Sequence, residues 1–331
     1  MALTRPVPTR PVHSATVPTH PAVRPPRRVR TVAAVAAAVA TVLLAGCSSG
    51  AAAPAPTSPA PTTTTVPPTT TSTTEQPGWT PVSSVGGAVA VDTQSATQAD
   101  GHVVTVFRFR SGRTHVGLHV GSTDPPRGTA VVAADSGSAI GPDESASLLA
   151  AFNGGFESTA GAGGFELNGQ VLLPLQAGYA SLVVDTDGVG HVGVWGQGLP
   201  TPGEQVASVR QNLPPLVVGG QPSPNIADVS AWGATLGGGA AVARSALGED
   251  ASGDLLYAGS MSAEPSDIAA ALVSAGAVTA MELDINPEWV QIAVSATPGG
   301  PLSTGVPGQN RPADQYQVGW TRDFVTVLAA G

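Results

Sequence analysis

Short runs in which apolar and polar residues alternate recur along residues 81–331, and they constrain this chain more than any other feature. His102–Arg110 ("HVVTVFRFR"), Thr114–Val120 ("THVGLHV"), Gly164–Leu173, Tyr179–Trp195 and Asp323–Ala329 ("DFVTVLA") carry the period-2 pattern of half-buried strands. Helical periodicity is scarce, and Gly and Pro are spread throughout. Asn168-Gly169 and Asp187-Gly188 mark hairpins, because a type I′ turn needs positive φ. The stretch is long enough for one large core, and no second low-complexity linker divides it. The expectation is an α+β fold: a strand-rich single domain, residues 81–331, with mixed β-sheets and a few helices.

One βαβ-like unit is expected near residues 254–285. Asp254–Ser260 reads as a strand, Ser266 as the N-cap of a helix over Asp267–Ala275, and Gly276 as its C′ stop. Val278–Ile285 follows as a buried strand. A crossover of this length makes the two strands parallel, or nearly adjacent in one sheet. It also puts Asp284 and Asn286 at the carboxyl end of the second strand, where ligands tend to bind.

The first 80 residues do not share this pattern. Arg24, Arg27, Arg28 and Arg30 precede an apolar run from Thr31 to Ala45, which is short for a membrane span and suits a signal peptide. The run ends in Leu44-Ala45-Gly46-Cys47, which resembles the lipobox of bacterial lipoproteins. Residues 1–46 are therefore expected to be a lipoprotein signal peptide, with Cys47 as the lipidation site. Residues 47–80 are expected to be a Pro/Thr-rich disordered linker. The predicted location is the outer face of the cytoplasmic membrane or the cell envelope.

Cys47 is the single cysteine, which argues against disulfides, a thiol nucleophile and a Cys-rich zinc site. Past residue 46 the chain carries eight arginines, no lysine and all 23 acidic residues, a formal charge of −15. Such a surface disfavours nucleic acid and leaves the lipid anchor as the means of membrane contact.

Several residues could carry chemistry. Asn153-Gly154-Gly155 follows a strand-like run, and its turn could present backbone N–H groups to an anion; an ordinary loop fits the spacing too. Arg244 stands alone between apolar runs, suited either to a buried carboxylate or to a phosphate. His115 and His119 share a strand face without an evident third metal ligand, and one of them is expected to line a pocket. Asp185 and Asp187 beside the hairpin turn read as structural. Glu282 and Asp284 share a face if the strand runs through them, and two close carboxylates suit acid–base work. Alternatively, they pair with Arg244 or Arg322 as a structural network. Glu288 completes the acidic group.

With these segments laid out, the chain resembles the phosphodiester glycosidase family, over most of residues 100–331. The resemblance rests on "HVGLHVGSTDPP", "LLAAFNGGF", "GGFELNGQVLL", "VRQNLPPLVVGG", "WGATLGGGAAVARSALGED", "AGAVTAMELDI" and "TRDFVTVL", in that order. It implies cleavage of a sugar 1-phosphodiester at the anomeric carbon on a cell-envelope glycan, by an extracytoplasmic, lipid-anchored enzyme. Asp284 would be nucleophile or base, oriented by Glu282 or Asn286. Asn153, Gly154, Gly155, Arg244 and Arg322 would hold the phosphate, with His119 and Trp289 contributing to substrate binding. After Leu283-Asp284 this sequence reads Ile-Asn-Pro-Glu-Trp where the family motif has Gly-Gly-Gly-Ser, so Pro287 offers no N–H to a phosphate. No cofactor is called for, and a divalent metal is left open. The same pocket also fits a non-catalytic lipoprotein that binds an envelope glycan or phosphopolymer. A purely structural envelope protein is the third reading.

Overall fold

The structure, a computed structural model, describes residues 78–98, 101–127, 137–233 and 238–331. The signal segment, Cys47 and nearly all of the expected linker lie outside the described residues. None of the described helices is long and apolar enough to cross a membrane.

The strands are short, as the alternating runs require. The first four are β1 (Thr80–Val85), β2 (Ala88–Thr97), β3 (Val103–Phe109) and β4 (Thr114–His119). A one-turn helix α1 (Pro142–Ser145) leads into β5 (Leu148–Asn153). Next come β6 (Phe165–Leu167), β7 (Gln170–Leu173), β8 (Ala180–Asp185), β9 (Gly190–Val194) and β10 (Val206–Gln211). They are followed by β11 (Val217–Val218), β12 (Gln221–Pro222), β13 (Val242–Asp250) and β14 (Leu255–Ala263). Helix α2 (Pro265–Ser274) joins β14 to β15 (Ala277–Glu282). The chain continues through β16 (Ile292–Ser295), β17 (Leu302–Thr304), the one-turn helix α3 (Gln315–Val318) and β18 (Phe324–Ala329).

Three sheets result, ordered β1-β2-β3-β14-β13-β15-β11-β12, β7-β6-β10-β8-β9 and β17-β16-β5-β18-β4. Among the described residues every ladder between these strands is antiparallel, so the α+β, strand-rich fold is built without mixed sheets. β14 and β15 do run in the same direction around α2, as the crossover demands. They are kept apart by β13, which pairs antiparallel with both. The helix starts two residues earlier than Ser266 suggested, because Glu264 and Asp267 form a reciprocal capping box with Pro265 in the first turn. Gly276, at φ 103°, ends it as expected.

The eight-stranded sheet is covered on both faces, which explains why its strands carry long apolar runs. Val104, Val106, Leu256 and Ala258 pack with Ile268 and Leu272 of α2. Phe107, Phe109, Leu255 and Tyr257 point the other way, into a core shared with Phe152, Leu182 and Val325. Asn168 and Gly169 both take positive φ, giving the two-residue hairpin read from the sequence. At the second hairpin only Gly188 does. There the Asp185 carboxylate accepts from the Asp187 and Val189 amides at 2.9 and 2.8 Å and closes a longer turn.

Candidate functional site

A cleft of about 560 Å³ opens where the chain leaves β5, β10 and β15. Its walls include Phe156, Leu213, Ile285 and Trp289, and Asp284, Asn286 and Glu157 supply polar groups. An apolar cleft with a few convergent polar groups is the usual form of a small-ligand site.

The stretch Asp284-Ile-Asn-Pro-Glu-Trp289 shapes one wall through side-chain-held turns rather than glycine. β15 stops at Glu282, yet the pairing with β13 persists irregularly: the Leu283 amide donates to the Ser245 carbonyl, and the Ser245 amide to the Asp284 carbonyl, at 2.8 and 2.9 Å. The Asp284 Oδ1 then accepts from the Asn286 amide (2.8 Å), and the Asn286 Oδ1 from the Glu288 amide (2.9 Å). The Trp289 amide reaches the Asn286 carbonyl at 2.8 Å, and Pro287 stands where a turn prefers proline. Asn286 thus holds Asp284 through its backbone N–H, while its side chain braces the next turn. Glu288 lies outside the cleft lining, half exposed and ion-paired with Arg311 at 2.9 Å.

Asp284 is buried, with only 3% of its surface exposed. Burial pushes its carboxyl up to about 7, opposed by the Asn286 amide and the Arg322 guanidinium. Arg322 Nη2 lies 3.7 Å from Asp284 Oδ2, and its guanidinium carbon sits 4.1 Å from the Trp289 ring centroid. Asp284, Asn286 and Trp289 therefore line the cleft together, and Arg322 stands behind that lining, in contact with Asp284, Trp289 and Glu157.

Glu282 and Arg244 do not reach it. Both are fully buried and ion-paired with each other, and Arg244 Nη1 also donates to the Trp232 carbonyl at 3.1 Å. Burial pushes the Glu282 carboxyl up to about 7 against the pull of Arg244. The pair lies behind the cleft wall: the Trp232 carbonyl that Arg244 holds belongs to a buried residue between the lining residues Ala231 and Gly233.

The turn at 153–155 holds an anion, but that anion is the protein's own. The Gly154 amide donates to the Asp323 carbonyl (3.0 Å) and the Gly155 amide to Asp323 Oδ2 (3.2 Å). Asp323 is in turn paired with Arg210 Nε at 2.7 Å. The glycines are required by proximity: a Cβ on Gly154 would lie 1.8 Å from Asp323 Oδ2, and one on Gly155 would lie 2.8 Å from the Arg210 guanidinium carbon. Gly154→Ala is expected to cost at least about 2 kcal/mol by forcing this buried pair apart. A urea midpoint equal to that of the wild type would show that the turn yields freely.

Asn153 faces inward. Its Nδ2 donates to Ser245 Oγ (2.9 Å), and its Oδ1 accepts from the Tyr257 hydroxyl (3.1 Å). Because Ser245 Oγ also takes the Asp284 amide at 3.1 Å, Asn153 acts one step behind Asp284 as a brace. His119 is buried against Phe324, with ring centroids 4.4 Å apart, and is held by Glu144 at 2.9 Å and the Gly137 carbonyl at 3.0 Å. It is absent from the cleft lining. His115 is half-buried, and among the described residues no group of three or more His, Cys, Asp or Glu is placed to hold a metal ion.

Four residues at the site carried no usable signal. Arg210 and Asp323 meet across 113 positions. Asn212 ties the cleft walls together, taking the Phe156 amide (3.1 Å) and donating to the Glu282 and Leu283 carbonyls at 2.8 and 2.9 Å. Leu213 lines the cleft at φ 57°, a left-handed conformation rare for a branched side chain. The paired glycines at 154–155 were the one available hint, since they mark a close approach without naming the partner.

No family model matches the chain, and neither does any curated protein. Among solved structures, the chain is similar to a hypothetical protein from Synechocystis, with 13% identity, a TM-score of 0.40, and 74% of this chain and 63% of that one covered. It is also similar to the catalytic domain of zebrafish N-acetylglucosamine-1-phosphodiester alpha-N-acetylglucosaminidase auto-inhibited by its pro-peptide, with 14% identity, a TM-score of 0.46, and 76% of this chain and 88% of that one covered.

Proposed function

We propose that the protein is a glycosidase that cleaves a sugar 1-phosphodiester at the anomeric carbon, on a cell-envelope glycan, from a lipid anchor at Cys47 on the outer face of the cytoplasmic membrane. The observation that carries the catalytic part is Asp284: a buried carboxylate facing an apolar cleft, fixed by the Asn286 amide and flanked by Arg322 and Trp289. Ordinary glycosidases use two carboxylates, one of them to protonate the leaving oxygen. A phosphate monoester leaves with little protonation, so one buried carboxylate suffices for a phosphodiester. Asp284 attacks the anomeric carbon or draws the proton from an attacking water, and Trp289 offers its ring to the sugar.

A second reading is favoured by one observation. Arg244 and the 153–155 amides, the groups expected to hold phosphate, are occupied inside the protein. A cleft lined that way also suits an envelope glycan bound without turnover. Hydrolysis of a panel of sugar 1-phosphodiesters, beside glycan titrations, separates the two. Release of free sugar from at least one member is the expected result. Glycan binding without release from any member would transfer the cleft to the binding role.

A further inference from the structure

Arg322 contacts three residues that line the cleft, Glu157, Asp284 and Trp289, and it retains unmet hydrogen-bonding capacity. It is 4% exposed, and its Nη2 donates to the Gly155 carbonyl at 3.0 Å. Nε and Nη1 have no hydrogen-bond partner among the described residues. They face carboxylates only as ion pairs, Nε with Asp124 Oδ2 at 3.3 Å and Nη1 with Glu157 Oε1 at 3.2 Å. With Asp284 on Nη2, three carboxylates share one guanidinium.

These three are not equally fixed. Asp124 is held by the Ser158 amide at 3.2 Å and by the Ser158 hydroxyl. Asp284 is held by the Asn286 amide. Glu157 has a side chain 45% exposed, and among the described residues its other polar side-chain contact is a 3.4 Å hydrogen bond from Thr159. It lines the cleft and can swing into water at small cost.

We propose that the Nη1 edge of Arg322 is an anion subsite of the cleft, and that Glu157 occupies it when no ligand is bound. A ligand anion takes the place of the Glu157 carboxylate, which turns out to solvent. The exchange conserves charge only when the incoming group carries one negative charge. The subsite therefore favours a phosphodiester over a dianionic phosphate monoester, which would add a second negative charge beside Asp284. This deepens the proposed function by naming what selects the phosphodiester, and it rests on that reading only for the sugar.

The test is titration of the full chain with dimethyl phosphate, the simplest monoanionic diester, followed by calorimetry at low ionic strength. Wild type, Glu157→Ala and Glu157→Gln are compared, and inorganic phosphate at pH 8 serves as the dianion. If Glu157 fills the subsite about nine-tenths of the time, removing it tightens dimethyl phosphate binding roughly tenfold. Both variants should show this gain, and the dianion should gain less. Unchanged affinity in Glu157→Ala, or no binding to any of the three proteins, would overturn the proposal. The substituted side chain is nearly half exposed and lies outside the hydrophobic core, so the variants are expected to fold. Because binding is read without turnover, a failure here is distinct from a failure of the glycosidase reading.

Discussion

Asp284→Asn should lower turnover of a sugar 1-phosphodiester by about three orders of magnitude or more, with the fold intact. The amide keeps the shape of the carboxylate and can still accept from the Asn286 amide, which is 2.8 Å away in the wild type. What it loses is the negative charge that attacks carbon or water, an interaction made chiefly in the transition state. The wild-type rate should also rise with pH through about 7, where burial places the Asp284 ionisation. The same shift has an opposite consequence for stability. The folded protein holds this proton up to about pH 7, whereas an unfolded chain releases it near 3.8. Between those values the folded state binds more protons, so stability falls as pH rises and the cost persists above 7. Removing the ionisable group should therefore make Asp284→Asn more stable than wild type at pH 8, by a few kcal/mol, with the gain vanishing towards pH 3. Retained turnover would remove Asp284 from the chemistry. A loss of stability at pH 8 would mean that the Arg322 contact holds the fold rather than poises the carboxylate.

The second large effect is expected at the buried pair behind the cleft wall. Arg244→Met strands the fully buried Glu282 without its counter-charge and leaves the Trp232 carbonyl without its donor. The expected loss in urea denaturation is about 3–5 kcal/mol at pH 8. It should be smaller at pH 5, because burial already pushes the Glu282 carboxyl up to about 7 and the stranded group then takes a proton. The double variant Arg244→Met, Glu282→Leu should recover most of the loss, since an apolar pair of similar volume needs no compensation. Wild-type stability in Arg244→Met, with weakened binding of dimethyl phosphate, would instead return Arg244 to the role of an anion ligand.

That pair shows where sequence reasoning reached and where it stopped. The alternating runs located strands such as β3, β4 and β18 because period-2 burial is a local property of the chain. The helix and its Gly276 stop were legible for the same reason. Its first residues were misplaced because a Glu264–Asp267 capping box competes with Ser266 at the same distance from the apolar run. Strand order was less accessible: β13 slips between β14 and β15, and nothing within residues 254–285 encodes that insertion. Arg244, Glu282 and Asn153 stand out as isolated polar residues in apolar surroundings, and all three matter. Whether such a residue faces a ligand or another side chain depends on partners far along the chain. Arg210 and Asp323 went unnoticed for that reason, although together they fill the turn that the glycines had marked.

β18 lies between β5 and β4 in its sheet, and the two residues before it, Arg322 and Asp323, supply the guanidinium beside Asp284 and the plug of the glycine turn. A chain made amino end first must therefore carry β4 unpaired, and β5 open on the side away from β16, until β18 emerges. During that interval Arg210 lacks its counter-charge and the amides of the 153–155 turn lack their carboxylate. Such a nascent chain is prone to pair with its neighbours. The order of synthesis thus acts as a timer, joining the filling of the glycine turn and the closing of the open sheet edges in one last step.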